Sequence, residues 1–229
     1  MTHGQPVIKA VYADMDGTLV SYAQGSFHSS WDAVGHSLCE RSEWDEGFQR
    51  YYGHPEKYEE WIQYNANLLC GKSVEAARQA LLNNGSPPYN RGVRRFYRAV
   101  TSRVITGIVT SGLGLLARHV QAQLGMNFAV ANELLTADGR FTGLAQTHVP
   151  LWQKADVVRR RAEQDGVMLE CTCFIGDNEN DIPVLKLVGL PVIFKPYAGR
   201  SALVKSMAAE TGRPDVLVID SFMELRHYV

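Results

Sequence analysis

The chain has 229 residues, 45% of them hydrophobic and 21% charged, which excludes extended disorder and gives enough apolar surface for one large domain or a domain with an insert. Its 23 Lys and Arg against 24 Asp and Glu leave a net charge of −1, which argues against a protein that binds nucleic acid through a basic face. The densest basic run, Arg159-Arg160-Arg161, reads as a solvated helix face.

The elements are predicted in chain order as follows. Val7 to Ala13 is a short β-branched run, read as a buried strand over 7–13 that stops at Asp14-Met15-Asp16-Gly17-Thr18. Residues 21–88 differ in character. They hold three of the four Trp and show helical spacing, with Trp61, Asn65, Leu68 and Leu69 on one face. Asn83-Asn84-Gly85-Ser86-Pro87-Pro88 ends this insert as a linker. A helix over 91–101 and a strand over 104–110 follow. Next come a helix over 113–124 ending at Gly125 and an extended segment over 127–131, with Asp138-Gly139 as a hairpin turn. The remainder reads as a helix over 152–164, a strand over 171–175, a short helix over 182–188, and strands near 192–194 and 216–219. Strands separated by helices predict a parallel sheet covered on both faces: a three-layer, Rossmann-like α/β core of residues 1–20 and 89–229. Residues 21–88 would form a small helical cap inserted after the first strand.

Four cysteines without a CxxC pair, and histidines without HxxxH or HExxH spacing, suit a reducing cytoplasm and argue against structural zinc. The N-terminus lacks the charged and apolar regions of a signal peptide. No apolar run reaches the roughly 18 residues that suggest a membrane span.

In a parallel α/β sheet, ligands gather outside the carboxyl ends of the strands. There the sequence puts Asp14 and Asp16, then Thr110, Ser111 and Gly112, and later Asp177 with Asn180 and Asp181. Lys154 stands near the start of a helix, with Lys186 and Lys195 as alternatives. Clustered carboxylates raise one another's pKa unless a cation sits among them, and Mg²⁺ pairs with one or two carboxylates plus phosphate. A carboxylate freed for attack supports aspartyl-phosphate chemistry. Two other patterns fall away. Gly71-Lys72-Ser73 resembles the end of a P-loop, but Ala66 stands where its first glycine belongs. Gly112 to Ala117 fits a dinucleotide fingerprint but leaves the acidic pairs unexplained.

Taken together, Asp14-Met15-Asp16-Gly17-Thr18, Thr110 closing an apolar strand, Lys154, and Gly176-Asp177-Asn178-Glu179-Asn180-Asp181 resemble, in order, the four motifs of the haloacid dehalogenase-like phosphohydrolases. Ala131-Asn132-Glu133-Leu134 and the turn after it are similar to the phosphoserine phosphatase-like branch. The resemblance implies a Mg²⁺-dependent phosphomonoesterase acting on a small phosphorylated metabolite. Asp14 would be the nucleophile and Asp16 the general acid and then base. Thr110, Ser111, Gly112, Lys154 and Asn180 would bind phosphate. Asp14, Asp177 and the Asp16 backbone carbonyl would hold Mg²⁺, supported by Asp181. No nucleic-acid or membrane partner is expected, and the chain would be a monomer or homodimer. A phosphotransferase or mutase, and an inactive binding module on this fold, are the rival readings.

One departure bears on specificity. The phosphoserine-specific members carry a carboxylate just after the first motif and an arginine in the insert. Here Tyr22-Ala23-Gln24 follows the motif, no acid appears before Asp32, and Asn65 stands where the arginine would be. Arg41, Arg50 and Arg78 are the cations that the insert offers instead.

Overall fold

The computed structural model describes residues 7–22, 27–195 and 198–229. The readings of residues 1–6 and of Ala23-Gln24 lie outside the described residues. Strand β1 (Ala10–Ala13) leads into four helices, α1 (Ser30–Leu38), α2 (Arg41–Tyr51), α3 (Tyr58–Leu68) and α4 (Val74–Leu81). After α5 (Val93–Val100) come β2 (Ile105–Leu113), α6 (Gly114–Leu124) and the hairpin β3 (Phe128–Ala137) and β4 (Arg140–Gln146). The chain then forms α7 (Lys154–Gln164), β5 (Thr172–Gly176), α8 (Ile182–Leu185), β6 (Leu190–Phe194), α9 (Ser201–Thr211) and β7 (Leu217–Ile219).

The described strands form one seven-stranded sheet in the order β4-β3-β2-β1-β5-β6-β7. Every pairing is parallel except β3 with β4. The central strands β1, β5 and β6 are buried along their whole length and largely apolar because helices cover both faces. Side-chain alternation divides them between two cores. Val11, Ala13, Ile108, Cys173, Ile175 and Phe194 pack with α5, α6 and the C-terminal turn Phe222–His227. Tyr12, Val109, Phe174 and Ile193 pack with α7, α8 and α9. The result is the three-layer α/β architecture expected from the sequence.

Several boundaries differ from the expectation. The first strand begins at Ala10, and Val7 is exposed. Strand β2 runs on through Leu113, which had been expected to open a helix, and its pairing with β3 shifts register between Val109 and Leu113. The fifth strand starts at Thr172, with Cys171 in a 3₁₀ turn, and α7 starts at Lys154 instead of Trp152. The sheet is not wholly parallel, because Asp138 (φ 49°) and Gly139 (φ 73°) make a tight two-residue turn that folds β4 back on β3. Helix α9 was not foreseen. Its Lys and Glu residues blur an apolar stripe that amounts to little more than Val204 and Met207.

Within the insert, α3 buries Tyr58, Ile62, Asn65 and Ala66, and Leu69 beyond it is buried too; of the expected face Asn65 and Leu69 point inward, whereas Trp61 and Leu68 are half-buried at its margin. The supposed linker is tightly folded. Asn84 and Gly85 both have positive φ, and Asn83 and Ser86 exchange backbone hydrogen bonds of 2.8 and 3.1 Å. Ser21 N donates to Pro88 O at 3.0 Å, which holds the two crossings of the chain side by side. The basic run is only partly solvated, since the Arg161 guanidinium lies 3.7 Å from the Phe128 ring centroid and pairs with Asp165. No described helix is long and apolar enough to cross a membrane.

Candidate active site

The parallel register sets the site. β1 pairs from Ala10 to Ala13 with Ile105–Ile108 on one side and Thr172–Ile175 on the other, so all three strands run out at one edge. Asp14 is the first residue beyond β1, tied by its N–H to Ile175 O at 2.9 Å. Beyond it the chain turns sharply, and the amides of Thr18, Leu19 and Val20 all donate to Met15 O. Gly17 sits at the turn with φ +85°, and a Cβ there would lie 2.2 Å from Asp177 Oδ2. Both the left-handed backbone and the close approach therefore require glycine. Thr18 Oγ1 donates to Asp177 Oδ1 at 2.9 Å, which joins the first and fourth motifs.

Lys154, the first residue of α7, is 1% exposed. Its Nζ lies 3.0 Å from Asp14 Oδ1 and 2.5 Å from Asp181 Oδ1. Burial alone would push its pKa down, but the two carboxylates outweigh it and hold the ammonium charged. Asp181 is also raised, mainly by burial and opposed by Lys154; its other oxygen accepts from the amides of Asp177 and Asn178. Lys186 is exposed and forms no ion pair with these carboxylates. The expected lysine is thus the one that meets the expected acids.

Asp177 is pushed up to about 8, first by burial and then by Asp14 and Asp181. Arg200 opposes this, its Nη2 donating to Asp177 Oδ2 at 3.0 Å and to the Asp177 carbonyl at 2.6 Å. Asp16 is raised to about 7, again chiefly by burial, while the Ser30 hydroxyl and amide act in the other direction. Asp16 Oδ2 takes both Ser30 bonds, whereas its Oδ1 is buried without a partner. Gly112 permits this packing, because a Cβ on it would stand 2.5 Å from Asp16 Oδ2. A carboxyl with one oxygen fixed and the other free is disposed to exchange a proton with something not yet present.

Thr110 and Ser111 are buried where β2 shifts register. Thr110 Oγ1 accepts from Gly112 N at 3.1 Å, and Ser111 Oγ is buried without a partner. Ser111 O accepts from Trp31 Nε1 at 3.0 Å and from Asn132 Nδ2 at 3.0 Å. Asn132 also accepts the amides of His148 and Val149, so one buried amide fixes three segments. A cavity of about 180 Å³ opens above these groups, with Asp14, Asp16, Thr110, Ser111, Gly112 and Asn180 among its lining residues. All the predicted site residues therefore lie around one point at the sheet edge.

The donors suit a hard divalent cation. Asp14, Asp177 and Asp181 each bring a carboxylate oxygen within 4.8 Å of the others, all buried. Counting Asp16, four carboxylates face, among the described residues, the cations Lys154 and Arg200 alone, an imbalance that an all-oxygen Mg²⁺ site would offset.

Ser30, Arg200 and Asn132 escaped the assignment of roles. Ser29-Ser30 ahead of Trp31-Asp32 is a helix N-cap signal, and Ser29 Oγ does accept the Asp32 amide, but the cap says nothing of the Ser30 bond to Asp16. No local pattern points Arg200 at Asp177. Asn132 lies in a quoted segment and had been given no role. The P-loop-like Gly71-Lys72-Ser73 follows α3 directly, with no strand leading in.

The family model of the haloacid dehalogenase-like hydrolases matches residues 11–186. A phosphoserine phosphatase of Methanocaldococcus jannaschii is 31% identical over 139 residues, which is 60% of this chain and 64% of that protein. One from Streptomyces coelicolor is 40% identical over 148 residues, covering 63% of this chain and 36% of that protein. The matched stretch thus spans less than two thirds of either relative. Among solved structures, a phospho-aspartyl intermediate analogue of phosphoserine phosphatase superposes with a TM-score of 0.71 at 22% identity, over 97% of this chain and 99% of that one. With its four motifs folded around one point, the chain belongs to the haloacid dehalogenase-like hydrolase family.

Proposed function

We propose that this chain is a phosphatase, a Mg²⁺-dependent phosphomonoesterase that works through an aspartyl phosphate on Asp14. The observation that carries the reading is the buried Lys154 held between Asp14 and Asp181, together with an Asp16 oxygen that is buried and unpartnered. A lysine so placed offsets charge on a phosphoryl group, and the free oxygen is available to a leaving alcohol.

In this reading Asp14 attacks phosphorus. As the new oxygen–phosphorus bond forms, the bond to the substrate alcohol breaks, and Asp16 gives that alcohol its proton. Asp16, now ionised, takes a proton from water as that water attacks the phosphorus. This frees Asp14 and inorganic phosphate. Thr110, Ser111, Gly112, Lys154 and Asn180 hold the phosphoryl oxygens through both steps. Asp14, Asp177 and the backbone carbonyl of Asp16 would hold Mg²⁺, whose chemistry is to neutralise charge on the phosphoryl oxygens. Asp181 orients Lys154 and the loop after β5.

We take residues 21–88 as a cap over a core of 1–20 and 89–229, closing on the substrate to exclude bulk water. The substrate would be a small phosphorylated metabolite. Although the relatives are phosphoserine phosphatases by name, Arg41, Arg50 and Arg78 give no support to that specificity here. Arg41 and Arg78 pair with Asp45 and Glu75, and Arg50 lies over the Tyr51 ring.

Phosphate release from p-nitrophenyl phosphate with Mg²⁺ tests the proposal. Turnover by the wild type and none by Asp14→Asn is the expected result. No release by the wild type from any phosphomonoester would overturn it, and transfer to an added alcohol in place of water would favour a phosphotransferase.

A further inference from the structure

The floor of the cavity is accounted for by phosphate chemistry, but its roof is a different environment. Six aromatic residues from the insert line it: Trp31, Trp44, Phe48, Tyr52, Tyr58 and Trp61. Four of them are in ring contact, with Phe48 stacked on Tyr52 at 4.6 Å and Trp61 in edge contact with Phe48 at 5.9 Å and with Tyr58 at 6.3 Å. The polar edges of Trp31, Trp44 and Tyr58 are engaged within the protein. Trp31 Nε1 and the Tyr58 hydroxyl donate to Ser111 O, and Trp44 Nε1 donates to Asp32 Oδ1 at 3.2 Å. From those three an occupant meets ring carbon and π density, and the Trp61 indole N–H and the Tyr52 hydroxyl remain as neutral polar groups.

The charge that lines the roof is negative. Asp32 is half-buried, its side chain bonded to the neutral Trp44 indole, and no described Lys or Arg forms an ion pair with it. Among the described residues no Lys or Arg lines the cavity, and the lining residue His28 is exposed. Asn65 is 4% exposed and lines the same space, and its Oδ1 is buried without a hydrogen-bond partner. Aromatic faces and a carboxylate without a counter-charge together favour a cation and disfavour a carboxylate. A neutral aromatic alcohol would use the rings and leave Asp32 uncompensated.

We propose that the phosphomonoester taken by this site carries an alkylammonium group and no carboxylate, an amino-alcohol phosphate of the choline or ethanolamine kind, with its cation in the aromatic box against Asp32. This rests on the phosphomonoesterase reading and deepens it. The phosphate meets Lys154 and residues 110–112 of β2, and the opposite charge of the same small molecule meets the insert.

The test compares kcat/KM of the full chain with Mg²⁺ on choline phosphate, ethanolamine phosphate and phosphoserine. The panel adds cytidine monophosphate, p-nitrophenyl phosphate and the uncharged isostere of choline phosphate, in which a tert-butyl group replaces trimethylammonium. One of the two cationic esters should exceed the isostere by about tenfold or more, and phosphoserine by about a hundredfold. Asp32→Asn should collapse the ratio of cationic ester to isostere. If p-nitrophenyl phosphate is hydrolysed but the isostere matches the cationic esters, or phosphoserine or cytidine monophosphate leads the panel, the inference is overturned while the phosphatase reading stands. If no ester is hydrolysed, the phosphatase reading falls, and the box is then read by direct binding. Trp31, Trp44 and Trp61 report through fluorescence, and choline binding about tenfold tighter than its tert-butyl analogue supports a cation site, whereas equal binding overturns it.

Discussion

Asp16 is held from the insert: the Ser30 hydroxyl and amide, at the start of α1, both donate to Asp16 Oδ2, at 2.6 and 3.0 Å. The same hydroxyl accepts the Leu113 amide at 2.9 Å, so one small side chain ties the first loop, the insert and the end of β2 together. Removing it should leave Asp16 present but poorly aimed. Ser30→Ala is expected to lower kcat by roughly tenfold or more, the scale of a misdirected proton transfer, with a smaller effect on KM. Steady-state kinetics on p-nitrophenyl phosphate checks this, and an unchanged kcat would deny Ser30 a positioning role.

Asp14→Asn should abolish turnover and leave the fold intact. It removes the attacking carboxylate, while Lys154 keeps Asp181 as a partner. It also relieves repulsion with Asp177, so the metal-free variant is expected to melt no lower than the wild type. Activity within tenfold of wild type would contradict the mechanism; circular dichroism and a thermal melt check the fold.

Activity should require Mg²⁺ and be inhibited by Ca²⁺, whose longer bonds and higher coordination number disturb an in-line geometry. Asp177→Ala should raise the Mg²⁺ concentration needed for half-maximal activity steeply. Full activity in excess chelator would rule this out.

The metal-free protein should lose stability as the pH rises. Asp16 at about 7 and Asp177 at about 8 stand above the ordinary carboxylate value of 3.8, raised first by burial and held back by Ser30 and Arg200 respectively. A folded-state pKa above the unfolded one means that the folded state binds protons more tightly. The contribution is therefore complete below about pH 4 and is lost as the pH climbs through 7 to 8. Melting temperatures in chelator should fall between pH 5 and pH 8, each pH approximate, with Mg²⁺ reversing the fall at the upper end. A flat profile would contradict the arrangement.

Gly35→Ala should destabilise the insert. A Cβ on Gly35 would lie 2.1 Å from the Trp44 ring, which is itself 3% exposed. Overpacking of this kind costs roughly 1–3 kcal/mol, or several degrees of melting temperature for a chain of this size. A melt within one degree of wild type, on the order of measurement error, would show that the ring can shift.

The sequence alone determined the alternation of strand and helix, the helical insert, and the identity of the residues around Asp14. Each of these is written locally. A buried parallel strand is a short apolar run, and the polar residues that end it are adjacent in the chain, so Asp14 and Asp16, Thr110, and Asp177 could be read one strand at a time. Lys154 was legible by its order among the motifs, and the hairpin turn by Asp138-Gly139. The tertiary structure decided what touches what across long separations. The Ser30 bond to Asp16, the Arg200 pair with Asp177, the Asn132 junction and the meeting of six aromatic residues with Asp32 all depend on how separate elements dock. Docking follows from the shapes of packed faces, and α3 shows why periodicity does not supply it: its apolar residues span a broad arc, so Ile62 and Ala66 turned inward beside Asn65 and left Trp61 and Leu68 half-buried at the margin.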